Sequence, residues 1–195
     1  MRRPTRLPTS RPRPADRSPL ALPARALGDG VVRHRAPRAA DAHAIAEGCS
    51  DAEIARWTKV PSPYTLEDAR AWIVAAELQR RNGSELHLVI VQGDEDRPVG
   101  GATLRLRADP EPHGEIGYWV AARARRAGVG ARAVGLLARH GLEALGLGWI
   151  EIAVSPRNEP SRALARSAGF EPHTVELREF KGRMEEFELF RLPAG

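Results

Sequence analysis

The stretch Ala122–Ala133, ARARRAGVGARA, runs between an aromatic strand end and an apolar helix. The start of a helix offers unpaired N–H groups and a positive dipole, which together attract anions. Glycine lets the backbone come close to a ligand, and Arg125 and Arg126 add charge. Arg125-x-x-Gly128-x-Gly130 therefore reads as a cradle for a pyrophosphate, formed by Arg125, Arg126, Ala127, Gly128, Val129, Gly130 and Ala131. A P-loop would need a Lys-Ser/Thr pair after the second glycine, where Ala131-Arg132 stands instead. A dinucleotide fingerprint is matched by Gly128-x-Gly130-x-x-Ala133, with Glu151 downstream. However, the seven residues Ala121 to Ala127 separate those glycines from the strand, and only one strand-helix-strand unit surrounds them. The plain alternative is a strand-to-helix turn that happens to be glycine-rich.

The elements that must position this loop follow from periodicity. GVVRHRAP alternates as a short strand, and RAADAHAIAEGCSD has helical spacing. Pro61 and Pro63 make a loop, after which Thr65 and Asp68 form a capping pair for a helix through Ala69, Trp72, Ile73, Ala76 and Leu78. Asn82-Gly83 ends that helix. ELHLVIVQ and VGGATLRLR read as a hairpin, and EIGYWVA as a fourth strand. The next helix runs from Ala131 to Leu145 with a stripe of Val134, Leu137, Ala138, Leu142 and Leu145. WIEIAV is a fifth strand, PSRALARSA a short helix, and two last strands flank Lys181-Gly182. The order predicts an α/β (α+β) fold whose central sheet is mixed, with six to seven strands and about four helices.

Charge narrows the function. The 195 residues carry 30 Lys and Arg against 25 Asp and Glu, a net charge of +5. Residues 1–27 hold seven arginines and one acid, a balance of +6, which leaves −1 for the rest. Nucleic-acid binding inferred from overall charge thus loses most of its support. The Arg/Pro-rich residues 1–28 are expected to be a disordered extension, with the folded domain at 29–193. Six prolines in residues 1–27 argue against the amphipathic helix of a transit peptide. No apolar run is long enough for a membrane span. The lone Cys49 excludes an internal disulfide, and zinc-type Cys/His spacings are absent, so a cytoplasmic location and no metal are expected.

With the loop preceded by EIGYWV and followed by SPRNEPSRALARSAGFEP, the chain resembles the GCN5-related N-acetyltransferases (GNAT). Their acetyl-CoA motif is Arg/Gln-x-x-Gly-x-Gly/Ala after the fourth strand, and their Asn-x-x-Ser/Ala…Gly-Phe segment follows the fifth. IARWTKVPSPYTLEDARAWI looks like the branch of the ribosomal-protein alanine acetyltransferases (RimJ/RimL type). The resemblance covers about residues 31 to 192.

The resemblance implies a GNAT fold in which the fourth and fifth strands splay apart, with acetyl-CoA as cosubstrate between them. It places Gly117 to Trp119 and Val120 beside the pantetheine arm, with the Val120 N–H as oxyanion donor. Asn158 would face the arm and Ser161 the acyl end. The acceptor amine would attack the thioester directly, with Glu115 as candidate base and His113 in reserve. His87, on a strand, is expected to be packed. Many members carry a tyrosine general acid seven residues after the asparagine, where this chain has Ala165, so Ser161 or a water on Asn158 is left to protonate the thiolate. Trp57 and Tyr64 are expected at the acceptor entrance, while Glu67 and Asp68 could draw a cationic amine or simply start a helix. The acceptor is expected to be a protein or peptide N-terminal α-amine. The alternatives are a small amine (amino acid, polyamine or antibiotic), a longer acyl donor, or a non-catalytic acyl-CoA sensor. The assembly is left at monomer or homodimer.

Overall fold

The computed structural model describes residues 18–23, 27–108 and 111–195. Its strands are β1 Leu27–Gly28, β2 Val32–Arg35, β3 Glu85–Gln92, β4 Gly100–Arg107, β5 His113–Val120, β6 Trp149–Val154, β7 Glu171–Phe180 and β8 Arg183–Pro193. They form one sheet in the order β1-β2-β3-β4-β5-β6-β8-β7. Every neighbouring pair is antiparallel except β5–β6. The helices are α1 Ala42–Cys49, α2 Ala52–Trp57, α3 Leu66–Arg81, α4 Val129–Arg139 and α5 Glu159–Ser167.

The mixed, mostly antiparallel sheet is as expected, but it has eight strands rather than six or seven. The added one, β1, has only two residues, too few for alternation to register. The fifth helix is α2, six residues started by Asp51, whose side chain accepts from Glu53 N–H. One turn and a half carries too few apolar positions to show a period. The fold also reaches into the stretch assigned to the extension. Leu20 is buried and exchanges backbone and side-chain hydrogen bonds with Arg80 of α3. Residues 1–17 and 24–26, where disorder was expected, lie outside the described residues.

Alternation along β5 divides the core between the two faces of the sheet. Ile116 and Tyr118 pack with Val134 and Leu137 of α4. Trp119 points the other way, into a second cluster with Ile45 of α1 and Ala69 of α3. The Thr65–Asp68 capping box that starts α3 is formed, with Asp68 N–H donating to Thr65 Oγ1 at 3.1 Å and Thr65 N–H to Asp68 Oδ2 at 2.8 Å. Lys181 and Gly182 both adopt left-handed backbone, φ 52° and 77°, which suits a two-residue hairpin turn between β7 and β8.

Candidate active site

The feature that organises the site is a gap in the sheet. β5 pairs with β4 along its whole length, from Arg107↔His113 to Gly100↔Val120. It pairs with β6 only at Gly114↔Ile150 and Glu115↔Glu151, and past these the two strands separate. Ala121 N–H donates to Val99 O, so alternate backbone groups of β5 turn to β4 and the others turn away. The others include Tyr118 and Val120, whose N–H groups therefore face the gap. The Val120 carbonyl receives Arg125 Nε at 3.0 Å. A side chain added at Gly117 would meet no described atom within 4 Å, so the face of the sheet beside the gap is open there.

Beyond Val120 the loop rises to α4. The N-caps of α2, α3 and α5, Asp51, Thr65 and Asn158, each accept a backbone N–H through the side chain, from Glu53, Asp68 and Ser161. The α4 N-cap, Gly128, supplies none, and the first turn of α4 holds no acid. Its end N–H groups and dipole are thus directed outward. The two glycines have different jobs. Gly128 is left-handed, φ 72°, with open space where a Cβ would point. A Cβ on Gly130 would lie 2.5 Å from Leu164 Cδ1, so Gly130 lets α4 and α5 touch. Arg126, Ala127 and Gly128 are exposed, whereas Val129 and Gly130 are buried. Arg125 turns inward. Besides holding Val120 O, its Nη2 binds Asp51 Oδ2 at 2.8 Å, which ties the loop to the start of α2.

Across the gap, Asn158 caps α5 by accepting from Ser161 N–H at 3.2 Å. The Ser161 hydroxyl lies 2.7 Å from the Tyr118 hydroxyl, so a hydrogen bond joins β5 to α5. Burial pushes the Tyr118 phenol up to about 12, more than the Ser161 bond offsets, which keeps it neutral. In the sequence Tyr118 is expected only as one residue of the strand beside the pantetheine arm. Its role needs the α5 partner, which spacing along the chain does not show.

The other end of β5 is closed by charge. Glu115 binds Arg105 at 3.1 Å, Arg107 at 3.2 Å and Arg178 at 3.1 Å. Burial alone would raise its pKa, but the fields of Arg107, Arg178 and Arg105 outweigh it and hold the carboxyl below its ordinary value. His113 stacks on Trp149 with centroids 4.6 Å apart, and its Nδ1 lies 2.8 Å from Glu111 O. His87 is buried, 2.9 Å from Thr103 Oγ1 through Nδ1, and packs edge-on to Trp72.

Of the residues expected at the acceptor entrance, Trp57 lines a hollow with Arg56, Ser155, Phe180 and Phe187. Tyr64 packs into the α1–α3 cluster, where burial, and secondarily Cys49, push its phenol pKa up. Trp119 also packs there, and a Cβ on Gly48 or Gly101 would come within 2.5 or 2.6 Å of its ring, so its side chain belongs to that cluster and its backbone N–H and C=O turn to β4. Asp68 is engaged in its capping box and Glu67 lies 3.6 Å from Arg70. Among the described residues, no group of three or more His, Cys, Asp or Glu could hold a metal, and no helix is long and apolar enough to cross a membrane.

The fold has known counterparts. Mycobacterium smegmatis RimJ, solved with CoA-disulfide, is 26% identical with a TM-score of 0.74, over 85% of this chain and 83% of that one. The ribosomal-protein-S5-alanine acetyltransferase of Vibrio fischeri is 20% identical with a TM-score of 0.75, over 87% and 96%. A spermidine N-acetyltransferase SpeG chimera from Vibrio cholerae and hSSAT is 15% identical with a TM-score of 0.68, over 84% and 95%. No curated protein matches the sequence. The family description Acetyltransferase (GNAT) domain matches residues 32–171, a span that contains the divergent strand pair, the arginine-glycine loop and Asn158. On that match, the chain belongs to the GNAT acetyltransferase family.

Proposed function

We propose that the protein transfers an acetyl group from acetyl-CoA to the N-terminal α-amine of a protein or peptide. The observation that carries this reading is the open gap beside β5, with the Tyr118 and Val120 N–H groups facing it and the uncapped start of α4 at its mouth. An extended pantetheine arm fits such a gap as a missing strand would, and a pyrophosphate suits the helix start. In this reading Gly128 to Ala131 hold the pyrophosphate through backbone N–H groups, with Arg126 adding charge from outside. Arg125 acts by fixing Val120, and the Val120 N–H polarises the thioester carbonyl. Asn158 orders α5 beside the arm. Ser161, its hydroxyl aligned by Tyr118, hydrogen-bonds the departing thiolate.

The nature of the acceptor follows from the weakness of the base. A carboxylate held by three guanidiniums attracts protons poorly, so Glu115 is assigned to fixing the junction of β5 and β6. An amine must then arrive neutral. An α-amine, with an ordinary pKa of about 7.7–8.0, does so in useful fraction near neutral pH, whereas an alkyl amine near about 10.4 does not. The V. fischeri counterpart, a ribosomal-protein-S5-alanine acetyltransferase, supports the same reading. Calorimetry with acetyl-CoA, and thiol release across peptides and small amines, test the reading. Absent CoA binding would overturn the donor assignment. Turnover of polyamines but not peptides would overturn the acceptor assignment.

A further inference from the structure

We propose that the hollow between α2 and the β7–β8 hairpin selects acceptors carrying an acidic residue next to a small apolar one, and turns away polycationic amines. The proposal rests on the acetyl-transfer reading and deepens it. The hollow, about 70 Å³, has room for a small apolar side chain. Its walls are Trp57 from α2 and the edge-packed Phe180 and Phe187 from the hairpin, 5.7 Å between centroids. Buried Ser155, just past the end of β6, also lines it and puts the hollow by the open end of the gap.

The walls are held in place. The start of α2 is tied to the loop through Asp51 and Arg125, and its second half to the hairpin tip, where Lys181 Nζ donates to Ala55 O. α2 therefore spans from the donor loop to the hairpin, with the hollow at its far end.

The charge around the hollow has one sign in excess. Arg56 and Arg157 line it against a single acid, Glu185, and Arg157 already binds Glu185 at 3.0 Å. Lys181 stands at the hairpin tip, 5.4 Å from the Phe180 centroid. The Arg56 guanidinium lies over the Trp57 ring, 4.5 Å from its centroid. Glu53 takes the Trp57 indole N–H at 2.9 Å and lies 3.7 Å from Arg56, and on the hairpin Glu176 stands opposite Phe187 and binds Arg178 at 3.1 Å. With Glu53 and the Glu176–Arg178 pair counted, the cations still exceed the acids by one. A polyamine or aminoglycoside would need the opposite balance, and the Glu67 and Asp68 pair that could have supplied it is engaged elsewhere. Charge placed this way acts on selectivity and on association more than on overall affinity.

The test uses the full chain saturated with CoA and C-terminally labelled hexapeptides beginning Ala-Leu-Glu, Ala-Leu-Gln and Ala-Leu-Lys, followed by anisotropy at low ionic strength. The acidic peptide should bind about tenfold more tightly than the basic one, with the neutral one between. The Arg56→Glu/Lys181→Glu variant should abolish or invert the order, and Arg56→Gln should reduce it about threefold. Arg139→Glu, a charge reversal of one on the opposite face, should leave it intact. Equal binding of the three peptides, a basic preference, or an unchanged order in Arg56→Glu/Lys181→Glu overturns the proposal. Thiol release is read in parallel with acetyl-CoA. If no peptide is acetylated while the binding order stands, the transfer reading fails and the selectivity of the hollow survives.

Discussion

The two ends of β5 are built on opposite terms. At its start, charged side chains pair with one another: Glu115 sits among three arginines, Glu151 lies 3.3 Å from Arg178 and 3.7 Å from Arg191, and Trp149 is held between His113 and Arg191, although Trp149 Nε1 and Arg191 Nε find no hydrogen-bond partner among the described residues. At its end, side chains are small or turned aside and the backbone faces outward: Gly117 is open, Val120 N–H faces the gap, and α4 starts without a cap. A ligand can replace only partners that a protein has left out, so the end of the strand is where binding belongs. The start is the rivet that keeps β5 and β6 together, so that they can part farther on.

The largest effect should come from removing the rivet. Glu115→Ala strips exposed Arg107 of its acid and leaves Arg105 with Glu85 and Arg178 with Glu151 and Glu176, and should cost about 2.5 kcal/mol of stability by denaturant unfolding. The Glu115 carboxyl is more acidic folded than unfolded. Its contribution is therefore complete above the ordinary carboxylate pKa and is lost as pH falls through the lower folded value. The stability gap between wild type and Glu115→Gln should be full at pH 7 and should close in acid. A gap that widens on acidification would show that Glu115 is not held by these arginines.

Next in size is the cradle. Gly128→Val forces a β-branched residue into a left-handed conformation and points its side chain into the open space before α4. Acetyl-CoA affinity measured by calorimetry should fall about thirtyfold, roughly 2 kcal/mol. Affinity within threefold of wild type would remove the pyrophosphate from this helix start.

The contrast also explains what the sequence could show. The end of β5 was legible because its chemistry is local: one loop, two glycines and one helix start fall within Arg125 to Ala131. The start of β5 was not, since Glu115 reads as a lone strand carboxylate until Arg105, Arg107 and Arg178 arrive from β4 and β7. His113 likewise gives no sign of Trp149, which is 36 residues away along the chain. Trp57 was legible as an aromatic near a proline loop, whereas its partners Phe180 and Phe187 lie on a hairpin whose register only the folded sheet fixes. Gly130 was grouped with Gly128 by motif, although its neighbour is Leu164.

That last difference gives a smaller test. Gly130→Ala puts a methyl group 2.5 Å from Leu164 Cδ1, the tip of a side chain that can partly yield. It should lower stability by about 1.5 kcal/mol through overpacking, with acetyl-CoA affinity retained in the folded fraction. The reverse outcome, intact stability with lost affinity, would mean that Gly130 needs its bare Cα for the ligand rather than for Leu164 and would erase the distinction between the two glycines.

The smallest effect lies between the two ends, at the bond joining Tyr118 to Ser161. Tyr118→Phe keeps the ring in the core and removes only the hydroxyl, so stability should change little. If the phenol serves to aim the Ser161 hydroxyl at the leaving thiolate, kcat should fall about fivefold, near the 1 kcal/mol of a single hydrogen bond, with KM for acetyl-CoA unchanged. Ser161→Ala should fall at least as far, and the double variant should be no slower than Ser161→Ala, because Tyr118 acts only through that hydroxyl. Burial keeps the phenol neutral up to about 12, so the pH profile of kcat should keep its shape in Tyr118→Phe. Additive losses in the double variant would mean that each hydroxyl has its own task. A rise in KM alone would mean that the bond merely holds α5 against β5, as the ion pairs do at the other end of the strand.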